Sequence, residues 1–271
     1  MSRQIRVLVG LAVLGVLASC SSAVAGMADR IGATFGLMSE DFIKTFTPLE
    51  ALVVGFEDGA LYLDIGQGGG AQAGQEFTIF RKGEEFHHPI TRKALGRYEE
   101  VLGYAQVKTV YPRFAEAVYV PLDGKPKPQA DDGVRITRGR IKAAITPVLD
   151  LTQSPTAPDL RRVPYLLAIV LERSKRFQVT DPLTVSDLFG NGGAHVQEIL
   201  ALPERALRIS KRLDVTGWIV PVLLERRGVV YLDVTWISAV TGTALFSRRE
   251  PLLPPAPAEA QRFPWEPASE D

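Results

Sequence analysis

A single cysteine, three histidines and three methionines in 271 residues leave little room for sulfur or imidazole chemistry. One thiol has no intramolecular partner, so no internal disulfide holds this fold. Zinc centres usually take three or four side-chain ligands. Here His87 and His88 are adjacent, but His195 lies far along the chain. Charge of one sign is also missing, because 31 Lys and Arg balance 31 Asp and Glu. A nucleic-acid footprint needs a basic excess on one face, so no nucleic-acid partner is expected. No apolar run reaches the roughly 20 residues that a membrane-spanning helix needs. The longest, Val7 to Ala18, opens the chain.

That run follows Arg3 and Arg6 and leads into the small residues Ala18 and Ser19. A basic start, a short apolar core and small residues are the build of a secretory signal peptide, here residues 1–19. A buried N-terminal helix or strand is the competing reading. Leu17-Ala18-Ser19-Cys20 resembles the lipobox of bacterial lipoproteins. The resemblance implies cleavage before Cys20 and a diacylglycerol on its thiol, so that the lipid bilayer is a partner through acylated Cys20. One acyl chain anchors only marginally, and two or three hold a protein stably. By the same resemblance, Ser21 behind the cysteine favours the outer membrane, with the protein lipid-anchored and facing the periplasm or the cell surface. Residues 20–47 are then expected to be the anchor and a tether, with an amphipathic helical stretch around Met27 to Phe46.

From Glu50 the pattern becomes short strands broken by glycine. Leu61, Leu63 and Ile65 alternate with Tyr62 and Asp64, the period of a half-buried strand. Asp58-Gly59 between two such runs is a hairpin signal. Further strands are expected at Glu76 to Arg81, Val101 to Val110, Ala115 to Val120 and Gly133 to Thr137. Many short strands with Gly and Pro between them favour a small barrel or sandwich.

The second half mixes periods. Leu160, Val163, Leu167 and Val170 share one helical face behind Asp159, a residue suited to the N-cap, and Pro164 lies early enough to kink that helix. Pro203 fits a first helical position. Strands are expected at Phe177 to Thr180, Thr216 to Leu224, Val229 to Ile237 and Ala244 to Arg248. The fold class expected is therefore α+β. A small β-barrel domain, residues 48–140, is followed by an α/β domain, residues 141–250. The six prolines from Pro251 to Asp271 predict a disordered tail, whose Phe263 and Trp265 either dock elsewhere or pack back.

Candidate chemistry is sparse. Gly66-Gln67-Gly68-Gly69-Gly70-Ala71 has the spacing of a dinucleotide loop, with Glu84 near the offset of a ribose-binding acid. A helix must open there for the phosphates to meet its N-terminus, whereas Ala73 to Glu76 leads into another strand. His87-His88-Pro89 reads as a turn first and a metal site second. Glu99-Glu100 and Asp131-Asp132 are adjacent carboxylates with no catalytic partner in view, and Gly190 to Gly193 reads as a loop. No G-x-S-x-G or H-E-x-x-H motif occurs. No cofactor, no metal and no enzymatic activity are expected.

Two resemblances extend the reading. Residues 61–117 resemble the C-terminal domain of the flagellar assembly protein T family. The resemblance is carried by Leu63-Asp64-Ile65-Gly66, Gly74-Gln75-Glu76-Phe77, Arg81-Lys82-Gly83-Glu84, His88-Pro89-Ile90-Thr91 and Leu95-Gly96, with Arg92 where that family has glycine. It implies a small β-barrel module used in envelope assemblies. Residues 143–249 resemble the TolB-N-like, curli-assembly-type domain through Leu171 to Ser174, Arg176 to Val179, Ala206 to Val215 and Tyr231 to Gly242. That resemblance implies an α/β unit of periplasmic assemblies, including lipoprotein activators of penicillin-binding proteins. Together they imply a non-enzymatic scaffold in an envelope protein complex, with a homo-oligomer ring among its forms. The alternative is a regulator that activates a peptidoglycan synthase, and a third is a hydrolase or metal binder using His87 and His88. Replacing Cys20 by alanine is expected to release the protein from the membrane fraction on cell fractionation. An unchanged membrane fraction would refute the anchor.

Overall fold

The structure is a computed structural model that describes residues 26–153, 158–190 and 195–254. Cys20, the leader, Gly192 and Gly193, and Phe263 and Trp265 of the tail lie outside the described residues. Among the described residues no helix is long and apolar enough to cross a membrane. The elements are α1 (Met27–Lys44), β1 (Glu50–Glu57), β2 (Ala60–Leu63), β3 (Glu76–His87), β4 (Ala94–Val110), β5 (Ala115–Pro121) and β6 (Gly133–Arg135). They continue with β7 (Ile141–Ile145), β8 (Leu149–Leu151), α2 (Val163–Arg173), β9 (Phe177–Val179), α3 (Pro182–Gly190), α4 (Val196–Ala201) and α5 (Pro203–Leu213). The chain closes with β10 (Gly217–Arg226), β11 (Val229–Ser238) and β12 (Ala244–Pro251). The mixed α+β class expected from the sequence is the class observed.

Strands β1 to β6 form a closed barrel in the order β1-β2-β5-β4-β3-β6. Its first hairpin turns at Asp58 and Gly59, with φ of 50° and 83°. Positive φ at both central residues matches the twist of the flanking strands. The three-residue β6 closes the ring by pairing with β1 on one side and β3 on the other. At Gly133 a Cβ would lie 2.4 Å from the Phe80 ring, so only glycine lets this short strand pass beneath it. Inside, Val53, Leu61, Leu63, Phe77, Ile79, Leu102, Val107 and Val134 make one apolar core.

The second body is a six-stranded sheet ordered β12-β11-β10-β7-β9, with β8 also beside β10. Its residues alternate between two cores. Ala143, Ile145, Ile219, Leu223 and Trp236 face α1 and α2, whereas Ala144, Trp218, Val220 and Val222 face α3, α4 and α5. Pro221 sits in the middle of β10, where a missing N–H normally breaks a ladder. It is accommodated because β10 pairs with β7 through Ile219 and with β8 from Val222, so the proline falls in the gap. The buried Trp218 indole donates to Ser210 Oγ at 2.7 Å, and that hydroxyl donates to the Ala206 carbonyl at 2.6 Å.

Several expectations need correction. Residues 27–44 were expected within a tether, yet α1 places Ile31, Phe35, Met38 and Phe42 in the same core as α2 and the sheet. Apolar side chains at this spacing contribute about 1.5–3 kcal/mol each when buried, which a free tether would forgo. The barrel thus interrupts the α/β body instead of preceding it, since α1 and β7 to β12 build one layered unit around residues 50–135. Asp159 is not the N-cap of α2. Its carboxylate bonds Arg161, both at the side chain (2.7 Å) and at the backbone N–H (3.1 Å), and the helix starts at Val163. Pro164 therefore stands in the first turn, where it costs no hydrogen bond and produces no kink. Pro203 takes the expected first-turn position in α5.

Phe46, just past α1, has its ring centroid 4.7 Å from Trp236 and 5.0 Å from Phe177. Phe42 and Phe246 complete the cluster. Phe46→Ala is expected to cost about 3–5 kcal/mol of stability, the usual loss for a buried aromatic. The check is the urea unfolding midpoint, and a midpoint within error of the parent would refute this packing.

Candidate partner-binding surfaces

Three regions of the surface combine shape with chemistry. The first lies where the barrel meets the sheet. Glu76, at the start of β3, places its Oε2 to accept from Gln106 Nε2 on β4 and from Ser238 Oγ on β11, both at 2.7 Å. Gln106 also donates to Thr241 Oγ1 at 3.1 Å. Beside this bridge Gly74, at φ 85°, has no room for a Cβ, which would lie 2.8 Å from the Leu245 carbonyl. The crevice above has a volume of about 270 Å³ and is walled by Phe46, Tyr104, Arg135, Arg140 and Trp236. Burial pushes the Glu76 carboxyl up from its ordinary value, against the opposing pull of its two hydrogen bonds. Burial and the Glu76 charge together raise Tyr104.

Arg176, between α2 and β9, holds the connections across this seam. Its Nε donates to the Phe46 carbonyl and its Nη2 to the Thr137 carbonyl, both at 2.6 Å, while Nη1 reaches the Gly139 carbonyl.

The second region is a groove of about 310 Å³ on the α/β body, lined by Tyr165, Ile169, Glu172, Val179, Asp181 and Pro182. It runs beside β9, the last strand in the sheet order. Tyr165 and Ile169 are four residues apart on α2 and are both exposed, as is Leu183 on α3. Helical spacing of four puts the first two on one face.

The third region is a two-stranded ribbon. β6 pairs with β3 only over Thr78–Phe80, and β5 pairs with β4 only from Gly103 onward. Beyond those rungs β3 and β4 pair only with each other, out to His87↔Ala94. Arg81 and Asp132 anchor the ribbon's root through two bonds of 2.8 Å, helped by Arg135 to Glu99 at 2.7 Å and Lys125 to Glu100 at 3.1 Å.

Residues singled out from the sequence fall as follows. His88 Nδ1 accepts from the backbone N–H groups of Ile90 and Thr91, each at 3.2 Å, which is the geometry of a turn. His87 faces Glu85 at 3.7 Å. His195 lies in the other body, where its backbone N–H donates to Glu198. Among the described residues no three His, Cys, Asp or Glu side chains converge as metal ligands. Gly66 to Ala71 forms a short 3₁₀ turn that leads into β3, and Gly66 lies against the backbone of Tyr111 to Arg113. Glu99, Glu100 and Asp132 are ion-paired, and Asp132 is buried. The ribbon is not legible in the sequence because residues 82–100 lack alternation. Bulges between Lys82 and Glu85 and between Phe86 and His87 break the period of two.

No protein-family model and no curated protein matches the sequence. Seven chains of solved structures do. The C-terminal domain of LpoB from Escherichia coli shares 13% identity at a TM-score of 0.35, covering 44% of this chain and 86% of that one. The same domain from Salmonella enterica shares 13% identity at 0.34, over 42% and 84%. Lipoprotein GNA1162 from Neisseria meningitidis shares 14% at 0.32, over 42% and 81%.

The Glu76 bridge yields a signed test. A carboxyl whose folded pKa is raised above its unfolded value favours the neutral form in the fold, so its contribution to stability falls as pH rises through the folded pKa. Glu76→Gln removes this titration. The stability of the variant relative to the parent is expected to grow between pH 4.5 and pH 8 in paired urea melts, and a constant difference would refute it.

Proposed function

We propose that this protein is a lipid-tethered accessory of the bacterial cell envelope that works by docking other envelope proteins. The tether at Cys20 fixes it at the outer membrane, and the α/β body supplies the docking face. The observation that carries the reading is the α2–β9 groove, where Tyr165 and Ile169 stand exposed together beside an edge strand. An edge strand offers backbone groups to an incoming segment, here with the Val179 N–H held by Glu172 Oε1 at 3.4 Å, and apolar side chains beside it add affinity.

Two partner classes follow from the resemblances. The flagellar-type likeness of residues 61–117 suits a scaffold in a secretion, surface-polymer or motility machine. The TolB-N-like likeness of residues 143–249 suits a regulator that activates a peptidoglycan synthase. A specific observation favours the second reading. The stretches that carry the TolB-N-like likeness fall on α2 with β9, on α5 and on β11, all of them parts of one body.

Crosslinking from Tyr165 in the same groove in intact cells, followed by identification of the captured protein, separates the two. A peptidoglycan synthase supports the regulator, and ring or pore subunits support the scaffold. Ile169→Asp is expected to lower capture at least tenfold, because a charge at a desolvated contact is costly. Undiminished capture by Ile169→Asp would remove this groove as the docking face.

A further inference from the structure

The ribbon has an arrangement that neither docking nor folding of the barrel requires. Two-stranded ribbons are marginal in water on their own, yet this one carries large apolar side chains in the open. Ile90 at its turn is 85% exposed, Tyr98 63%, Leu95 53% and Phe86 45%. The barrel core ends behind them, since Phe80 and Leu102 are the last buried side chains on the two strands.

The chemistry is sorted along the length of the ribbon instead of by face. The outermost stretch, Phe86 to Gly96, contains Arg92, Lys93, His87 and His88 and no Asp or Glu. Arg97 follows one residue further in. The acids Glu84, Glu85, Glu99 and Glu100 all lie at or behind the Glu85↔Arg97 rung. Behind the tip, Phe86 and Tyr98 pack against each other with centroids 5.3 Å apart. Among the described residues, Arg92, Lys93 and Arg97 enter no ion pair, while the charges at the root are paired to Arg81, Lys125 and Arg135. From the tip inward come Ile90, the unpaired cations Arg92 and Lys93, Phe86, then the Glu85↔Arg97 rung and Tyr98, with the paired acids Glu99 and Glu100 at the root.

A protein partner reads a face. A membrane reads depth. Cations near an anionic leaflet gain from its surface potential, aromatic rings settle at headgroup level, and acids are kept back. We propose that the β3–β4 ribbon is a second membrane contact, in which Ile90 enters the headgroup region of an anionic phospholipid leaflet and Arg92, Lys93 and Arg97 meet its phosphates. This contact is separate from the acyl anchor at Cys20 and from the α2–β9 groove, so neither depends on it.

The test uses the full-length chain with Cys20→Ala and Ile90→Cys, which carries one environment-sensitive fluorophore at position 90. It is mixed with vesicles of phosphatidylglycerol and phosphatidylcholine, or of phosphatidylcholine alone. The probe is expected to shift to the blue on the anionic vesicles only, and the shift is expected to fall as salt is raised. Replacing Arg92, Lys93 and Arg97 together by glutamine is expected to weaken this partition on the order of 100-fold. These side chains lie outside the barrel core, and circular dichroism checks that the variant stays folded. Because the readout sits at position 90, lipid binding elsewhere in the chain does not produce it. An absent shift, an equal shift on neutral vesicles, or an unaffected glutamine variant would overturn the proposal. A crosslinker at position 90 that captures protein and no phospholipid in cells would do the same.

Discussion

Two stretches of backbone cross between the barrel and the α/β body, and one guanidinium holds both. Arg176 donates to the carbonyl of Phe46 on the outgoing stretch and to those of Thr137 and Gly139 on the returning one. Carbonyls at such crossings would otherwise need water or strand partners. Five donors in a rigid fork suit the task, because one side chain reaches three acceptors that diverge in direction. The seam is further defined by Phe46, whose ring joins the aromatic cluster of Phe177, Trp236 and Phe246. The polar bridge from Glu76 to Ser238 joins the barrel to the sheet beside the same crevice.

This seam explains how an interrupted body stays whole. α1 precedes the barrel in sequence but packs with α2 and β11, so the layered body takes one helix from before the barrel and all its strands from after it. Residues that close the seam therefore influence both bodies at once. The α2–β9 groove and the ribbon are free of that duty, and each carries exposed apolar side chains, Tyr165 and Ile169 in the one and Ile90, Leu95 and Tyr98 in the other.

Much of the fold was legible. The hairpin at Asp58-Gly59, the alternation of Leu61 and Leu63 with Tyr62, and Pro203 at a helix start are local signals, and the structure places β1–β2 and α5 where they point. The N-terminus of α2 was misread because Asp159 satisfies Arg161 instead of the helix, a choice between two nearby donors that spacing does not reveal. The ribbon escaped notice because its bulges destroy the period on which strand recognition rests. Glu76 looked like an ordinary strand residue, since its burial arises from β11, over 160 residues away.

The sequence by itself determined the elements whose cause is local: turns, helix faces, alternating strands, and the lipobox-like stretch ending at Cys20. Only the tertiary structure decided that α1 joins the later sheet, that Arg176 pins both crossings, and that cations and acids separate along the ribbon. Local elements follow from neighbours within a few residues, where sterics and hydrogen-bond geometry act directly. Burial, pairing and insertion depend on contacts between distant segments, and those exist only once the chain has closed on itself.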